Sequence, residues 1–149
     1  MKRGAIDLNA TMKKFGAPDT LISDYHHWVV LLRPGQVTLG SLVLICKEPA
    51  TAFSMISAAA FSELQTVTRH IEGGLRRAFH YDRINYLMLM MVDPDVHFHV
   101  IPRYETPRTF SAQVFTDHGW PGPPDLAKVN ATDTEQNHRI LTALKAYWP

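Results

Sequence analysis

The chain holds a single cysteine, Cys46, so no disulfide forms within it, as expected of a protein from a reducing compartment. Leu44 and Ile45 beside it point to a buried strand position rather than a reactive thiol. Charge is scarce too: 19% of the 149 residues are charged, the formal net charge is +1, and no overall basic field marks nucleic acid as a partner. No apolar run approaches a membrane span, and Met1 to Ala10 lacks the apolar centre of a signal peptide. A cytoplasmic protein with no membrane partner is therefore expected. Internal repeats, low-complexity tracts, Walker-type glycine loops and zinc-knuckle spacing are absent as well. What the chain does have is 46% hydrophobic residues, enough for a core, and eight histidines.

The length fits one domain, 1–149, with an N-terminal arm at 1–22 and a C-terminal extension at 105–149. Met12–Phe15 reads as one helical turn within the arm. Trp28 to Leu32, at the end of a segment from Ser23, is a short apolar run closed by Arg33-Pro34-Gly35, hence a strand. Ser41 to Cys46 is the next strand, and so short a connection predicts antiparallel pairing. From Ser57, a candidate N-cap, to Phe79 the apolar residues Ala60, Leu64, Val67, Ile71, Leu75 and Ala78 step by three and four, which predicts one long helix. Gly73-Gly74 within it implies close packing of the helix on the sheet. Ile84 to Val92, apolar on both faces, reads as a central strand whose Met88–Met91 run fills core. A short strand is expected at Thr109–Phe115. An ordered loop pinned by Trp120 is expected over Asp117–Pro124. Asp133 or Thr134 should cap a last helix with Ile140, Leu141, Leu144 and Tyr147 on its apolar side. The sum is an α+β fold with an antiparallel sheet, one long helix and a C-terminal helix.

Chemistry concentrates between Asp93 and Tyr104. Val96 to Ile101 has the residue bias of a strand that Pro102 should close, and alternation sends Asp95, His97 and His99 to one face. Three uses of that face stay open. A neutral imidazole is a competent nucleophile near pH 7 and can hold a phosphoryl or nucleotidyl group as a phosphoramidate. Alternatively, Asp95, His97 and His99 could share a metal, with a fourth ligand from elsewhere. In the third use, the histidines are ordinary polar residues of a half-exposed strand.

Val96-His97-Phe98-His99-Val100-Ile101-Pro102-Arg103 resembles the signature of the histidine triad family, His-φ-His-φ-His-φ-φ with φ apolar. Asn85-Tyr86-Leu87 and Gly40-Ser41-Leu42-Val43-Leu44 extend the likeness, which spans roughly Tyr25 to Tyr104. It implies an α+β fold with a five-stranded antiparallel sheet, a homodimer, and hydrolysis or transfer at a nucleotide α-phosphate. The nucleophile would be His97, with His99 and Asp95 shaping the phosphate site. The first motif histidine is replaced by Asp95. Where members often carry a histidine after the strand glycine, Ser41 stands. No asparagine for a ribose lies near Leu32-Arg33, and Met91 sits where several members place a polar group. Ser41, Arg103 and Asn85 are the candidate phosphate- and nucleotide-binding residues, each with a purely structural alternative. No cofactor is required by this chemistry, and a metal at Asp95, His97 and His99 is an alternative to it. The departures imply either altered substrate choice or a weak or inactive nucleotide sensor on the same fold.

Overall fold

The computed structural model describes residues 7–149, so residues 1–6 of the expected arm lie outside the described residues. After a short helix α1 (Ala10–Lys14) come the strands β1 (Leu21–Asp24), β2 (Trp28–Leu32) and β3 (Leu42–Cys46). The long helix α2 (Ala58–Phe79) separates these from β4 (Arg83–Leu87) and β5 (His97–Arg103). A small hairpin of β6 (Arg108–Phe110) and β7 (Gln113–Phe115) and the helix α3 (Thr134–Tyr147) complete the chain. The five longer strands form one antiparallel sheet in the order β1-β2-β3-β5-β4.

Alternation along β2 and β3 divides the core in two. Trp28, Val30, Leu32, Leu42, Leu44 and Cys46 join Val100 beneath α2, together with its stripe of Ala60, Val67, Ile71, Leu75 and Phe79. Each valine, leucine, isoleucine or phenylalanine among them contributes about 1.5–3 kcal/mol by leaving water. The start of α2 is fixed twice over. Ser57 Oγ accepts from Ala60 N–H (3.1 Å), as expected of the cap, and Trp28 Nε1–H donates to the Ala60 carbonyl (2.8 Å). Gly74 lets Trp148 lie against α2, where a Cβ would stand 2.8 Å from its ring. Close packing is the reason for that glycine, but against Trp148 rather than the expected sheet. On the opposite face Val29, Leu31, Val43 and Ile45 are covered by Met12 and Phe15 of the N-terminal segment.

Several expectations are corrected. The apolar run from Ile84 outlasts the sheet: β4 stops at Leu87, and it lies at an edge rather than centrally. Residues 88–96 form a loop in which Met91 is 84% and Val92 81% exposed, so the methionines do not all fill core. Unbranched methionines gain little from the pleated surface, and Met90 takes a left-handed φ of 52° that no strand accommodates. Ser23–Asp24 belongs to a separate strand β1, turned from β2 at 25–27. Thr109–Phe115 is two strands, not one. Tyr147 is exposed at the end of α3, whereas Asp133 caps that helix as expected by accepting from Gln136 N–H (2.7 Å). Pro102 lies inside β5, one residue from its end, opposite Ile84.

Candidate active site

The face of the sheet away from α2 carries the chemistry. Its rows follow from register: His97 stands beside Ile45 and Val29, and His99 beside Val43 and Leu31. One row further, Arg33 N–H donates to the Ser41 carbonyl (2.9 Å), placing Arg33 on the same face as Leu31. The aliphatic side chains between them make this a low-dielectric surface on which three nitrogen-bearing groups are held.

The His97 tautomer follows from its partner. The backbone carbonyl of Asp95 lies 2.7 Å from Nδ1 and can only accept, so Nδ1 carries the proton and donates. In the neutral ring the lone pair is then on Nε2. Fixing the ring through a main-chain oxygen does not depend on which side chain residue 95 bears. His99 is different. Its Nδ1 is buried without a partner, and burial first, then the charge of Arg33 and the neighbouring His97, push its pKa down to about 4. His99 is therefore neutral at physiological pH. The two rings meet edge to face, 5.3 Å between centroids.

The N-terminal segment forms the cover. Phe15 packs edge-on against His99 (5.7 Å between centroids) and tilted against His97 (6.5 Å). Asn9 caps α1 by accepting from Met12 N–H (2.9 Å), while its Nδ2–H donates to the Cys46 carbonyl (3.1 Å). Asp95 Oδ2 accepts from both Thr11 N–H (3.1 Å) and Thr11 Oγ1–H (2.8 Å). Lys14 reaches Asp93 at 2.8–3.0 Å, an exposed pair that adds little stability but links α1 to the 88–96 loop. Between these walls is a cleft of about 230 Å³ lined by His97, His99, Arg33, Lys14, Phe15 and the loop Leu89–Asp93. His97 itself is only 2% and His99 7% exposed.

Of the residues expected at the site, only the two histidines are brought together in the cleft. Asp95 precedes β5 in a bend, so it does not continue the alternation, and its carboxylate is turned to Thr11 rather than aligned with the imidazoles. No three His, Cys, Asp or Glu side chains converge in metal-binding geometry among the described residues. Ser41 is buried, its hydroxyl accepting from Thr38 N–H (2.9 Å) and donating to the Thr38 carbonyl (2.8 Å), so it closes a turn. Arg103, 4% exposed, donates to both oxygens of Asp117 (2.7 and 3.0 Å), to Asn85 Oδ1 (2.8 Å) and to the Gly122 carbonyl (2.9 Å). Four of its five N–H groups are thus used. Arg103 and Asn85 together anchor the 117–122 loop, a task expected of Trp120. Lys14, Phe15, Arg33 and Thr11 are the site residues the sequence did not disclose. The one signal was Arg33, a charged residue closing a fully apolar strand.

No family model matches the chain, and no curated protein matches it either. Solved structures do. A histidine triad protein from Sinorhizobium meliloti 1021 superimposes with a TM-score of 0.74 at 19% identity, covering 95% of this chain and 96% of that one. The fold is that of the histidine triad proteins. Another, from Marinobacter aquaeolei VT8, gives a TM-score of 0.73 at 18% identity over 97% of both chains. A zinc-bound histidine triad family protein from Mycobacterium smegmatis gives 0.62 at 18% identity, covering 91% of this chain and 90% of that one. The five-stranded antiparallel sheet expected from the motif is therefore present, in an α+β fold with histidine triad proteins as its structural neighbours. No helix among the described residues is long and apolar enough to cross a membrane.

Proposed function

We propose that the protein binds a nucleotide in the His97 cleft and transfers or hydrolyses its nucleotidyl group through a covalent intermediate on His97. The observation that carries this is the bond from His97 Nδ1–H to the Asp95 carbonyl, which leaves the Nε2 lone pair for attack on phosphorus. The nucleophile forms an N–P bond to the α-phosphorus as the P–O or P–N bond to the leaving group breaks. The leaving group departs with the electron pair and takes a proton from solvent. The ring, now phosphorylated on Nε2 and protonated on Nδ1, is cationic, and the Asp95 carbonyl dipole stabilises that charge. Water then attacks phosphorus and releases a proton to solvent, the N–P electrons return to Nε2, and the neutral ring is regenerated. This chemistry requires no cofactor. His99, kept neutral, adds no repulsion against the cationic intermediate.

The test is incubation with adenosine 5′-phosphoramidate and diadenosine polyphosphates, reading both turnover and a mass increase of one adenylyl group on the peptide containing His97. Equal turnover by wild type and His97→Ala would exclude the nucleophile. The near-complete cover of His97 by Phe15 and α1 favours a second reading, a nucleotide sensor with slow or no turnover. Tight nucleotide binding by calorimetry with no product over a long incubation would establish that one. A homodimer belongs to the same proposal. The edge strand β4 has one side free of partners in the described sheet, which a second copy would cover, and sedimentation at micromolar concentration decides the stoichiometry.

A further inference from the structure

Two cations line the His97 cleft, and their situations differ. Lys14 is answered by Asp93. Arg33 has no carboxylate within ion-pair distance among the described residues. Its Nη1–H donates to the Gly35 carbonyl (2.6 Å), which holds the guanidinium against the cleft wall, while its buried Nε–H has no partner. A guanidinium drawn out of water without an anion is costly, and an oxyanion bonded to the N–H groups it presents to the cleft removes that cost.

We propose that Arg33 receives a second anionic group of the substrate, so that the cleft selects nucleotides carrying a phosphate beyond the one presented to His97. This rests on the reading of His97 as the group that meets the α-phosphorus. The strand geometry sets the span. Arg33 lies two strands across from β5, roughly 9–10 Å, and its row is one beyond that of His99, with His97 a further row away. Successive rows are roughly 7 Å apart. Arg33 lines the same cleft as His97 and His99, and even a fully extended arginine leaves an anion on it and a phosphorus at His97 about one row or more apart. That favours a phosphate borne on the sugar over the adjacent phosphate of a chain, and both sources present the same oxyanion to the guanidinium.

Calorimetry separates the sources. Adenosine 5′-monophosphate is compared with adenosine 5′-diphosphate and with the 2′,5′- and 3′,5′-bisphosphates, on wild type, Arg33→Gln and Arg33→Lys, alongside melting curves without ligand. At least one doubly phosphorylated ligand should bind wild type about tenfold or more tighter than the monophosphate, as expected for charge-assisted bonds. The gain should vanish in Arg33→Gln and survive in part in Arg33→Lys, while the unliganded melting temperature stays level or rises. No gain, or a gain that persists in Arg33→Gln, overturns the proposal. So does an Arg33→Gln protein that melts early and binds no nucleotide, which marks the arginine as structural. A parallel assay for the adenylyl–His97 adduct keeps the two readings apart. An Arg33-dependent gain without adduct ends the account of His97 alone, and adduct without gain ends the account of Arg33 alone.

Discussion

The two ends of β5 hold polar groups at similar depth and use them in opposite ways. At Arg103 the guanidinium, Asp117, Asn85 and the Gly122 carbonyl satisfy one another, and the Tyr104 N–H adds a further bond to Asp117 (3.1 Å). Six residues earlier, and among the described residues, His97 keeps one nitrogen free of partners, His99 has an orphaned Nδ1, and Arg33 has no carboxylate at ion-pair distance. A buried network that is fully satisfied fixes structure; one left incomplete keeps valence for a ligand. The contrast lies in satisfaction, since burial does not distinguish the two ends.

The largest effects should sort cleanly by end. His97→Ala should lower turnover of an adenylyl substrate by about 10³-fold or more, while the lost ring contacts and the bond to the Asp95 carbonyl cost only about 1–2 kcal/mol of stability. Arg103→Met should do the reverse. It leaves Asp117 buried without its partner, so stability should fall by about 3–5 kcal/mol in urea unfolding while the protein that remains folded keeps its adduct chemistry. Loss of stability in His97→Ala equal to that in Arg103→Met would erase the distinction between the two ends.

Acid should probe the incomplete end first. His99 is pushed down to about 4 from an unfolded value of about 6.5, so between these values the unfolded chain binds the extra proton and the folded one does not. Stability from this group is full above about pH 6.5 and is lost as the pH falls toward 4, on the order of 3 kcal/mol in all. At Asp117, burial works to raise the carboxyl, and bonds from Arg103 and from the Tyr104 and Gly119 N–H groups outweigh it, holding the pKa below the ordinary carboxylate range. Its contribution is also lost on acidification, but in a lower window, as the pH falls through about 3.8 and below. Urea unfolding from pH 7 to 4.5 should therefore show a slope that His99→Gln flattens and Asp117→Asn does not.

Local periodicity made the scaffold legible. The 3.6-residue stripe of α2, its Ser57 cap, the apolar runs of β2 and β3 and the alternation of His97 and His99 are all short-range signals. The misreadings share a cause as well. Asp95 looks like the next residue of an alternating strand, yet whether the strand has begun there depends on Thr11, 84 residues away. Arg103 looks like a free guanidinium after a proline until Asp117 is folded back onto it. The Leu89–Val92 run looks like core, and only the tertiary structure makes it the wall of a cleft. Arg33 is the converse: a charge closing a buried strand is visible in the sequence, but its missing counter-ion is not.

The smallest effect concerns the cover, where the fold is held by bonds that a ligand must compete with. Thr11→Val keeps the shape of a buried side chain and deletes the hydroxyl that Asp95 Oδ2 accepts from, with a cost of about 1–2 kcal/mol. Because α1 meets the rest of the chain through few groups, the loss should be local. Amide exchange at 10–15 should accelerate about tenfold while the amides of β3 and β5 stay protected. The same substitution leaves Asp95 held only by the main-chain N–H at position 11, and its carbonyl sets the His97 tautomer, so ring-nitrogen NMR gives a second reading. Wild type should show a protonated Nδ1 and a bare Nε2, and Thr11→Val a mixture of tautomers. Faster exchange with an unchanged tautomer would mean that α1 covers the nucleophile without positioning it, and the two halves of Asp95, carboxylate and carbonyl, would then serve separate ends.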